Sequence, residues 1–166
     1  MGRFRFEYLD KSRKDEWLPR LFDLLYNNMK DIVSGGMSYG EEREAFLSAV
    51  GPALEKEPRQ IILMRRGETL AGYFQYYVNG GAFMVEEIQI VQEFQGTTLL
   101  AALFRYLSRE LPEGIERIAA YAHKNNLHSQ AIMGKLGMEP AGESDGDFCF
   151  YRGDFRPIAR KFSVGK

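Results

Sequence analysis

The feature that most constrains this sequence is the stretch of residues 84–111, in which an apolar run meets a short polar turn and then a long helical pattern. The first part, residues 85–91, is rich in β-branched side chains, as expected of a strand that is covered on both faces. The last part repeats apolar side chains at intervals of about three and four, which predicts an amphipathic helix. The repeated residues are Leu99, Leu103, Tyr106, Leu107 and Leu111.

The turn between this strand and this helix contains Gly96, followed by Thr97 and Thr98. A glycine and small hydroxyl residues at the start of a helix leave backbone N–H groups unpaired at the positive end of the helix dipole. Such an arrangement suits an anion such as a diphosphate. The residues alone are explained more simply by a turn at Gly96 and a helix capped by one of the threonines. Both interpretations are open from the residues alone.

The periodicity of the remaining chain predicts alternating strands and helices. The predicted strands are residues 3–8, 60–65, 69–78, 115–122 and 147–154, and the predicted helices are residues 12–33, 41–56 and 127–136. Three consecutive strands predict an antiparallel meander, and a strand–helix–strand connection predicts parallel pairing. Pro19 predicts that the regular first helix begins there, and Gly51 with Pro52 predicts a kink or early stop in the second. Residues 156–166 are expected to be a frayed basic tail.

Length and composition are those of one globular domain. The chain has 166 residues, of which 45% are hydrophobic and 27% charged, and a formal net charge of -1. This charge gives no electrostatic reason to expect nucleic acid or a membrane surface as a partner. The sequence has no signal-peptide pattern and no long apolar run, so a cytoplasmic location is expected. Cys149 is expected to be a packed strand thiol, and with His123 and His128 it forms no ligand cluster, so no metal site is expected.

The central segment IQIVQEFQGTTLL resembles the central strand, coenzyme A loop and helix of the GNAT acetyltransferase superfamily. The matching positions are Ile88, Ile90, Glu93, Phe94, Gln95 and Gly96. Thr98 and Leu100 stand where the family usually has its second and third small residues, so the loop departs from the family pattern. A second segment, residues 126–138, resembles the family's later helix, but Met133 stands where the family often has a proton-donating tyrosine.

This resemblance implies an α/β fold, a mixed central sheet of about seven strands flanked by about four helices, in a single domain over residues 1–166. The best-matched part is residues 60–152. It also implies acetyl-coenzyme A as the acyl donor. The residues expected to contact it are Ile90, Val91, Gln95, Gly96, Thr97, Thr98, Leu99, Leu100, Asn126 and Ser129.

Catalysis by such a protein requires a base for the amine, polarisation of the thioester carbonyl, and an acid for the departing thiolate. The resemblance assigns the polarising group to a backbone N–H near Ile90 or Val91. Glu86, Glu87 and Tyr121 are the candidate bases, and Glu87 and Tyr121 are preferred. Because a thioether cannot donate a proton, Ser129 or solvent is expected to protonate the thiolate.

The acceptor side is expected between the loop of residues 35–40 and residues 142–151. Met37, Tyr39, Tyr76 and Phe148 are the expected lining, and Glu143, Asp145 and Asp147 are candidates for holding an amine cation. The expected partners are a small-molecule or peptide amine and a second copy of the chain in a homodimer. Two functions follow as hypotheses: an N-acetyltransferase, or a catalytically impaired acyl-coenzyme A-binding or regulatory module, which the departures at Leu100 and Met133 favour.

Overall fold

The computed structural model of the chain describes residues 3–33, 35–142 and 146–162. Its strands are β1 (Phe4–Tyr8), β2 (Gln60–Arg66), β3 (Thr69–Asn79), β4 (Ala82–Ile90), β5 (Arg117–His123), β6 (Glu139–Pro140) and β7 (Phe148–Asp154). Its α-helices are α1 (Lys14–Met29), α2 (Tyr39–Lys56), α3 (Leu99–Glu110), α4 (Leu127–Lys135) and α5 (Phe155–Phe162). The strands form a seven-stranded sheet in the order β1-β2-β3-β4-β5-β7-β6. The predicted α/β class and mixed sheet of seven strands are confirmed, and the predicted elements occur in the expected order; β6 and the fifth helix, α5, were not predicted.

The chain divides into two compact units, and the boundary between them falls inside β3 and β4. The N-terminal unit comprises Met1–Gln75 and Glu87–Glu93, and the C-terminal unit comprises Tyr76–Glu86 and Phe94–Lys166. In the part of the chain that the structure describes, no helix is long and apolar enough to cross a membrane.

The N-terminal unit has a core between its helices and its strands. Strand β1 pairs antiparallel with β2, in a register that places Phe4 opposite Arg66 and Tyr8 opposite Ile62. The buried core joins side chains of α1 and α2 with side chains of the sheet, and its members include Trp17, Leu18, Leu21, Leu54, Ile61, Leu63 and Tyr73. This burial of apolar surface is the main stabilising contribution in the unit.

The predicted start of the regular first helix at Pro19 is wrong. Of the two alternatives at Gly51 and Pro52, the early stop is wrong and the kink stays a prediction. Helix α1 begins at Lys14, ahead of Pro19, and α2 continues through Pro52 to Lys56. A proline inside a helix removes one backbone hydrogen bond, but tertiary packing offsets this loss where the helix buries large side chains beyond the proline. Leu21 and Leu54 are 0% and 1% exposed. Gly51 faces α1 closely, since a Cβ there would lie 3.8 Å from a Leu18 methyl group.

The C-terminal unit is built on the parallel pairing of β4 and β5. The register runs from Ala82 opposite Arg117 to Val85 opposite Ala120. On its other side β5 pairs antiparallel with β7 along its whole length, and the short strand β6 pairs with β7. The predicted parallel strand–helix–strand unit is thus confirmed.

Helices α3 and α5 supply the buried apolar side chains of this unit. Leu99, Leu103, Phe104 and Leu107 of α3 are buried, and so are Phe155 and Ile158 of α5. The Phe155 ring lies 5.5 Å from the Phe83 ring of β4. The prediction of a frayed tail is therefore wrong for residues 156–162. These residues belong to the helix α5, which packs on the unit through Phe155 and Ile158.

Candidate functional site

The turn before α3 has the left-handed glycine that the sequence suggests. Gly96 has a φ of 70°, a conformation that glycine adopts without the strain of a side chain. Next to it, the Thr97 hydroxyl donates to the Phe94 carbonyl at 2.6 Å and accepts from the Leu99 N–H at 3.3 Å. The N-cap residue of α3 is Thr98, whose side chain forms no capping hydrogen bond. The glycine turn is present, and the Thr97 hydroxyl, one residue before the N-cap, stabilises it.

The same turn leaves room for an anion. A Cβ on Gly96 would meet nothing within 4 Å, and helical hydrogen bonding in α3 begins with the Ala102 N–H and the Thr98 carbonyl, 2.9 Å apart. The N–H groups of the residues just before Ala102 therefore precede the first intrahelical bond. The predicted contacts Gln95, Gly96, Thr97 and Thr98 are exposed.

The two leucines that open α3 have different environments. Leu99 is 1% exposed, so its side chain belongs to the core and only its backbone can face a ligand. Leu100 is half-buried. The side chain of Leu99 is therefore excluded as a ligand contact, whereas Leu100 stays accessible at the position where the family has a small residue.

Helix α4 carries the predicted cap and the candidate acid. The Asn126 side-chain oxygen accepts from the Ser129 N–H at 3.0 Å, which fixes the first turn of the helix. Ser129 is half-buried, and its hydroxyl forms no hydrogen bond with any residue that the structure describes. Met133, one turn further on, is only 7% exposed. Of these two residues, Ser129 is the one whose side chain, a hydroxyl, can donate a proton.

The candidate base Tyr121 lies on an open surface of the C-terminal unit. It is 52% exposed, and its ring centroid is 4.9 Å from that of Phe150, its partner across β5 and β7. An exposed, stacked phenol is a weaker candidate for proton transfer than a desolvated one. Its role stays a prediction.

A buried polar cluster at the end of β5 was not predicted. His123 is 6% exposed, and its Nδ1 accepts from the Asn125 N–H at 3.2 Å. The Gln130 amide donates to the Lys124 carbonyl at 2.8 Å and accepts from the Tyr151 hydroxyl at 3.2 Å. These bonds tie α4 to β5 and β7, and no spacing in the sequence signals them.

Asp147 is not an unpaired carboxylate. It forms an ion pair with Lys124, and this hydrogen bond and charge hold the pKa of Asp147 below its usual value. An acceptor amine would therefore share Asp147 with Lys124, and the role of Asp147 in holding an amine cation stays a prediction. The other two acidic candidates, Glu143 and Asp145, lie outside the described residues.

Of the predicted aromatic lining in the C-terminal unit, one residue is accessible and one is not. Phe148 is 44% exposed and contacts His123 edge to face, with centroids 5.3 Å apart. Tyr76 is 4% exposed and lies 4.7 Å from the Phe83 ring. Tyr76 therefore belongs to the core, because its ring is packed where a solvent-accessible slot was expected.

In the N-terminal unit, Met37 and Tyr39 are both exposed at the start of α2. The Tyr39 hydroxyl donates to the Asp23 carboxylate at 2.5 Å, and the Tyr26 ring meets the Tyr39 ring edge on at 4.9 Å. The hydrogen bond to Asp23, with a contribution from burial, raises the pKa of Tyr39. Asp23 and Tyr26 were not predicted, although their spacing places both on one side of α1.

The predicted base Glu87 lies on β4 in a hydrogen-bonded network of the N-terminal unit. The Gln89 amide donates to Glu87 at 2.7 Å, and the Asn28 amide of α1 donates to both the Gln89 side chain and the Ile90 carbonyl. The Val91 N–H donates to the Ala71 carbonyl at 2.9 Å. The sheet therefore occupies the Val91 N–H, and Ile90 stays the predicted contact of an acyl carbonyl.

A concave surface on the sheet of the C-terminal unit encloses a cavity of about 690 Å³. Apolar side chains such as Met84 and Phe150 line it together with Arg117, Arg152 and Glu139. None of the predicted site residues lines this surface. Among the described residues there is no group of histidine, cysteine and carboxylate side chains that could hold a metal ion.

The sequence matches no protein-family model and no curated protein. Solved structures match it over nearly its whole length. An acetyltransferase from Thermus thermophilus has a TM-score of 0.71 and 16% identity, covering 93% of this chain and 99% of that one. The PaiA N-acetyltransferase from Thermoplasma acidophilum, solved in complex with coenzyme A, has a TM-score of 0.67 and 13% identity, covering 92% and 99%. A variant of the spermidine N-acetyltransferase SpeG from Vibrio cholerae has a TM-score of 0.64 and 13% identity, covering 95% and 97%.

Proposed function

We propose that this chain, which has the fold of the GNAT acetyltransferases, transfers the acetyl group of acetyl-coenzyme A to a primary amine of a small molecule, peptide or protein. The observation that carries the proposal is the succession of β4, the Gly96 turn and α3. It combines the family-like sequence with a left-handed glycine and an accessible helix start. A fold alone does not imply an activity, so the chemistry rests on particular residues.

The proposed donor site uses the exposed turn and the start of α4. The backbone of residues 95–98 and the N–H groups of Leu100 and Ala101 in the first turn of α3 are suited to the diphosphate of coenzyme A, while the Leu99 N–H donates to Thr97. Asn126 and Ser129 are assigned to the pantetheine arm, and Ile90 to the acyl carbonyl. Polarisation of that carbonyl by a backbone N–H stabilises the negative charge that develops on its oxygen during attack.

The proposed reaction needs three proton transfers: two from the acceptor nitrogen and one to the thiolate. Glu87 accepts a proton from the acceptor ammonium, directly or through water, so that the neutral nitrogen attacks the thioester carbonyl carbon. The attacking nitrogen loses its second proton to solvent as the carbon–sulfur bond breaks. The departing thiolate takes a proton from solvent or from the Ser129 hydroxyl, which solvent then reprotonates. Tyr121 is the alternative base, acting through water.

The acceptor is proposed to be cationic before it reacts. Asp23 provides a carboxylate beside the Tyr26 and Tyr39 rings, and aromatic faces together with a carboxylate attract ammonium groups. One structural neighbour is a spermidine N-acetyltransferase. An acceptor panel should therefore include polyamines, amino acid amines and peptides with a free N-terminus or lysine.

The second candidate function is a catalytically impaired module that binds acyl-coenzyme A. Two observations favour it: Leu100 takes up space at a position usually held by a small residue, and Met133 is buried and has no proton to donate. This module would bind the donor without transferring its acyl group.

Calorimetry with acetyl-coenzyme A tests both proposals first. Heat of binding at sub-millimolar ligand is expected for either function, and its absence contradicts both. Release of free thiol across the amine panel then distinguishes them. Amine-dependent thiol release above the rate of hydrolysis supports the enzyme, whereas binding without release from any amine supports the module.

A further inference from the structure

Three hydrogen bonds connect helix α1 to the predicted base on β4. The Asn28 side-chain nitrogen donates to the Ile90 carbonyl at 3.0 Å and to the Gln89 side-chain oxygen at 2.8 Å. The Gln89 side-chain nitrogen donates to the Glu87 carboxylate at 2.7 Å. All four residues belong to the N-terminal unit. Gln89 is 5% exposed, so water competes little for its amide.

The direction of this chain of bonds is fixed by its first member. A backbone carbonyl can only accept, so the Asn28 side chain must turn its NH2 group towards Ile90. That NH2 group has a second hydrogen, which the oxygen of Gln89 accepts. Gln89 is thereby left with its NH2 group facing Glu87. Reversing either amide would place two acceptors against each other.

The orientation of Gln89 contributes to which form of Glu87 is favoured. An N–H donor facing a carboxyl group stabilises its ionised form, and an acceptor facing it stabilises its protonated form. The Tyr73 hydroxyl of β3 interacts with the charge of Glu87, and the Tyr73 side chain is fully buried. Burial and the charge of Glu87 raise the pKa of Tyr73 well above its usual value, so that it stays neutral. Glu86 projects to the opposite face of β4.

We propose that Asn28 is a positioning residue that keeps Glu87 ionised and ready to accept a proton, by orienting the Gln89 amide. This inference rests on the proposed function, in which Glu87 is the base. It assigns Asn28 no contact with either substrate. The role depends on the direction of the hydrogen bonds, and it is therefore separable from a contribution of Asn28 to folding.

The decisive variant is Asn28→Asp, with Asn27→Asp as its control. Aspartate at position 28 presents an acceptor to Gln89, so the Gln89 amide turns over and faces Glu87 with its oxygen. Asn27 is the neighbouring residue of α1 and is exposed, without a hydrogen bond to any described residue. Asn27→Asp adds the same charge to the same helix without touching the network.

The first readout is the titration of Glu87 itself. Carbon NMR of the side-chain carboxyl groups in labelled protein gives the midpoint, and Glu87→Gln assigns the signal. In Asn28→Asp the midpoint is expected to rise by about one pH unit or more, the size of the effect of losing a hydrogen bond to a charged group. In Asn27→Asp it is expected to stay within about 0.3 units, on the scale of a screened surface charge. An equal midpoint in both variants overturns the proposal.

The second readout is the pH profile of kcat/KM for the acceptor amine. The acidic limb of this profile should shift to higher pH together with the Glu87 midpoint. At a given pH on that limb, kcat/KM should therefore fall about tenfold. The affinity for acetyl-coenzyme A should stay within about twofold, since Asn28 does not contact the donor. A loss of activity at all pH values with an unmoved limb would make Asn28 merely structural and overturn the proposal.

Failure of the proposed function is distinguishable from failure of this inference. If the wild-type protein releases no thiol with any amine, the acetyltransferase proposal fails, but the NMR titration still tests the orientation of Gln89. Should Asn28→Asp not fold, Asn28→Leu removes the donor without adding charge and is expected to raise the Glu87 midpoint by a smaller amount. An unchanged midpoint in folded Asn28→Leu would then overturn the inference.

Discussion

Gly96 and Gly67 form a matched pair of residues for testing the donor loop. Both have positive φ values, 70° and 61°, and neither would place a Cβ within 4 Å of another atom. Alanine at either position should destabilise the fold by about 1 kcal/mol through backbone strain. Only Gly96→Ala is expected to weaken coenzyme A binding, by about tenfold, since a side chain there hinders the approach of the diphosphate to the backbone.

Calorimetric titration of coenzyme A into both variants provides the measurement. Denaturant unfolding of each variant shows whether the two substitutions lower the free energy of unfolding equally. If Gly96→Ala and Gly67→Ala bind coenzyme A equally well, the ligand does not use the turn before α3.

Ser129 is the proposed proton donor to the departing thiolate, with solvent as the alternative. Ser129→Ala should lower kcat about tenfold and leave the affinity for acetyl-coenzyme A nearly unchanged, because only the transition state gains from the proton. The effect is limited because water can also protonate a thiolate whose thiol has an ordinary pKa of about 8.5. Ser108→Ala on α3, whose hydroxyl donates to the Arg105 carbonyl, is the control.

Steady-state kinetics together with direct binding separates the possible roles of Ser129. A large drop in affinity would make Ser129 an anchor of the pantetheine arm. Unchanged kcat and unchanged affinity would leave solvent as the acid.

The roles of individual residues were harder to predict from the sequence than their positions in the helices and strands. The sequence locates Gly96 and Asn126 at the starts of their helices because turn and cap preferences are local. It does not show that Tyr76 is packed on Phe83, or that Lys124 pairs with Asp147, since these partners are distant in sequence. Asn28 has no local signature, because the two acceptors of its hydrogen bonds lie on β4, distant in sequence.

At the scale of elements, α2 depends on a capping box at its start. The Ser38 hydroxyl accepts from the Glu41 N–H, and the Glu41 carboxylate accepts from the Ser38 N–H at 2.7 Å. Ser38→Ala is expected to lower the free energy of unfolding by about 1 kcal/mol. Denaturant unfolding at neutral pH measures this loss, and Ser108→Ala shows the effect of removing a hydroxyl away from a helix cap.

The contribution of the capping box should depend on pH. The hydrogen bonds from Ser38 lower the pKa of Glu41, so the folded state stabilises the ionised carboxyl. This contribution is present above the ordinary pKa of glutamate and is lost as the pH falls through the lowered value. The stability difference between wild type and Ser38→Ala should therefore shrink in acid. A difference that is constant down to acid pH would show that the Ser38 hydroxyl does not stabilise the ionised Glu41 carboxyl.

Elements whose pattern is local were predicted well, and elements that depend on packing were not. The strand–turn–helix unit of β4 and α3 follows from β-branched residues, a glycine turn and apolar spacing. The continuation of α1 and α2 through Pro19 and Pro52 depends on core contacts that override local propensity. Helix α5 was missed because its basic composition conceals the buried pair Phe155 and Ile158.

At the scale of the whole molecule, the order of the helices and strands specifies the fold more strongly than the identities of the individual residues do. The structural neighbours share 13–16% of their residues with this chain but cover more than nine-tenths of it. Three sequential strands followed by a strand–helix–strand crossover admit few topologies, because such crossovers are right-handed. The acceptor is not specified at this scale, since it depends on side chains that differ among proteins of one fold.

Binding of acetyl-coenzyme A should stabilise the whole chain against heat. A ligand that binds only the folded state, at a hundredfold excess over its Kd, adds about 2.7 kcal/mol to the free energy of unfolding. For a chain of this length that corresponds to a rise in Tm of about 5–10 °C. Differential scanning calorimetry at increasing acetyl-coenzyme A measures the rise, and Gly96→Ala at the same concentrations should show less. The thermal unfolding should also occur in one cooperative transition, because β3 and β4 each contribute residues to both compact units. A Tm that does not move at millimolar ligand would contradict binding, and a shift confined to one of two separate transitions would contradict the single domain.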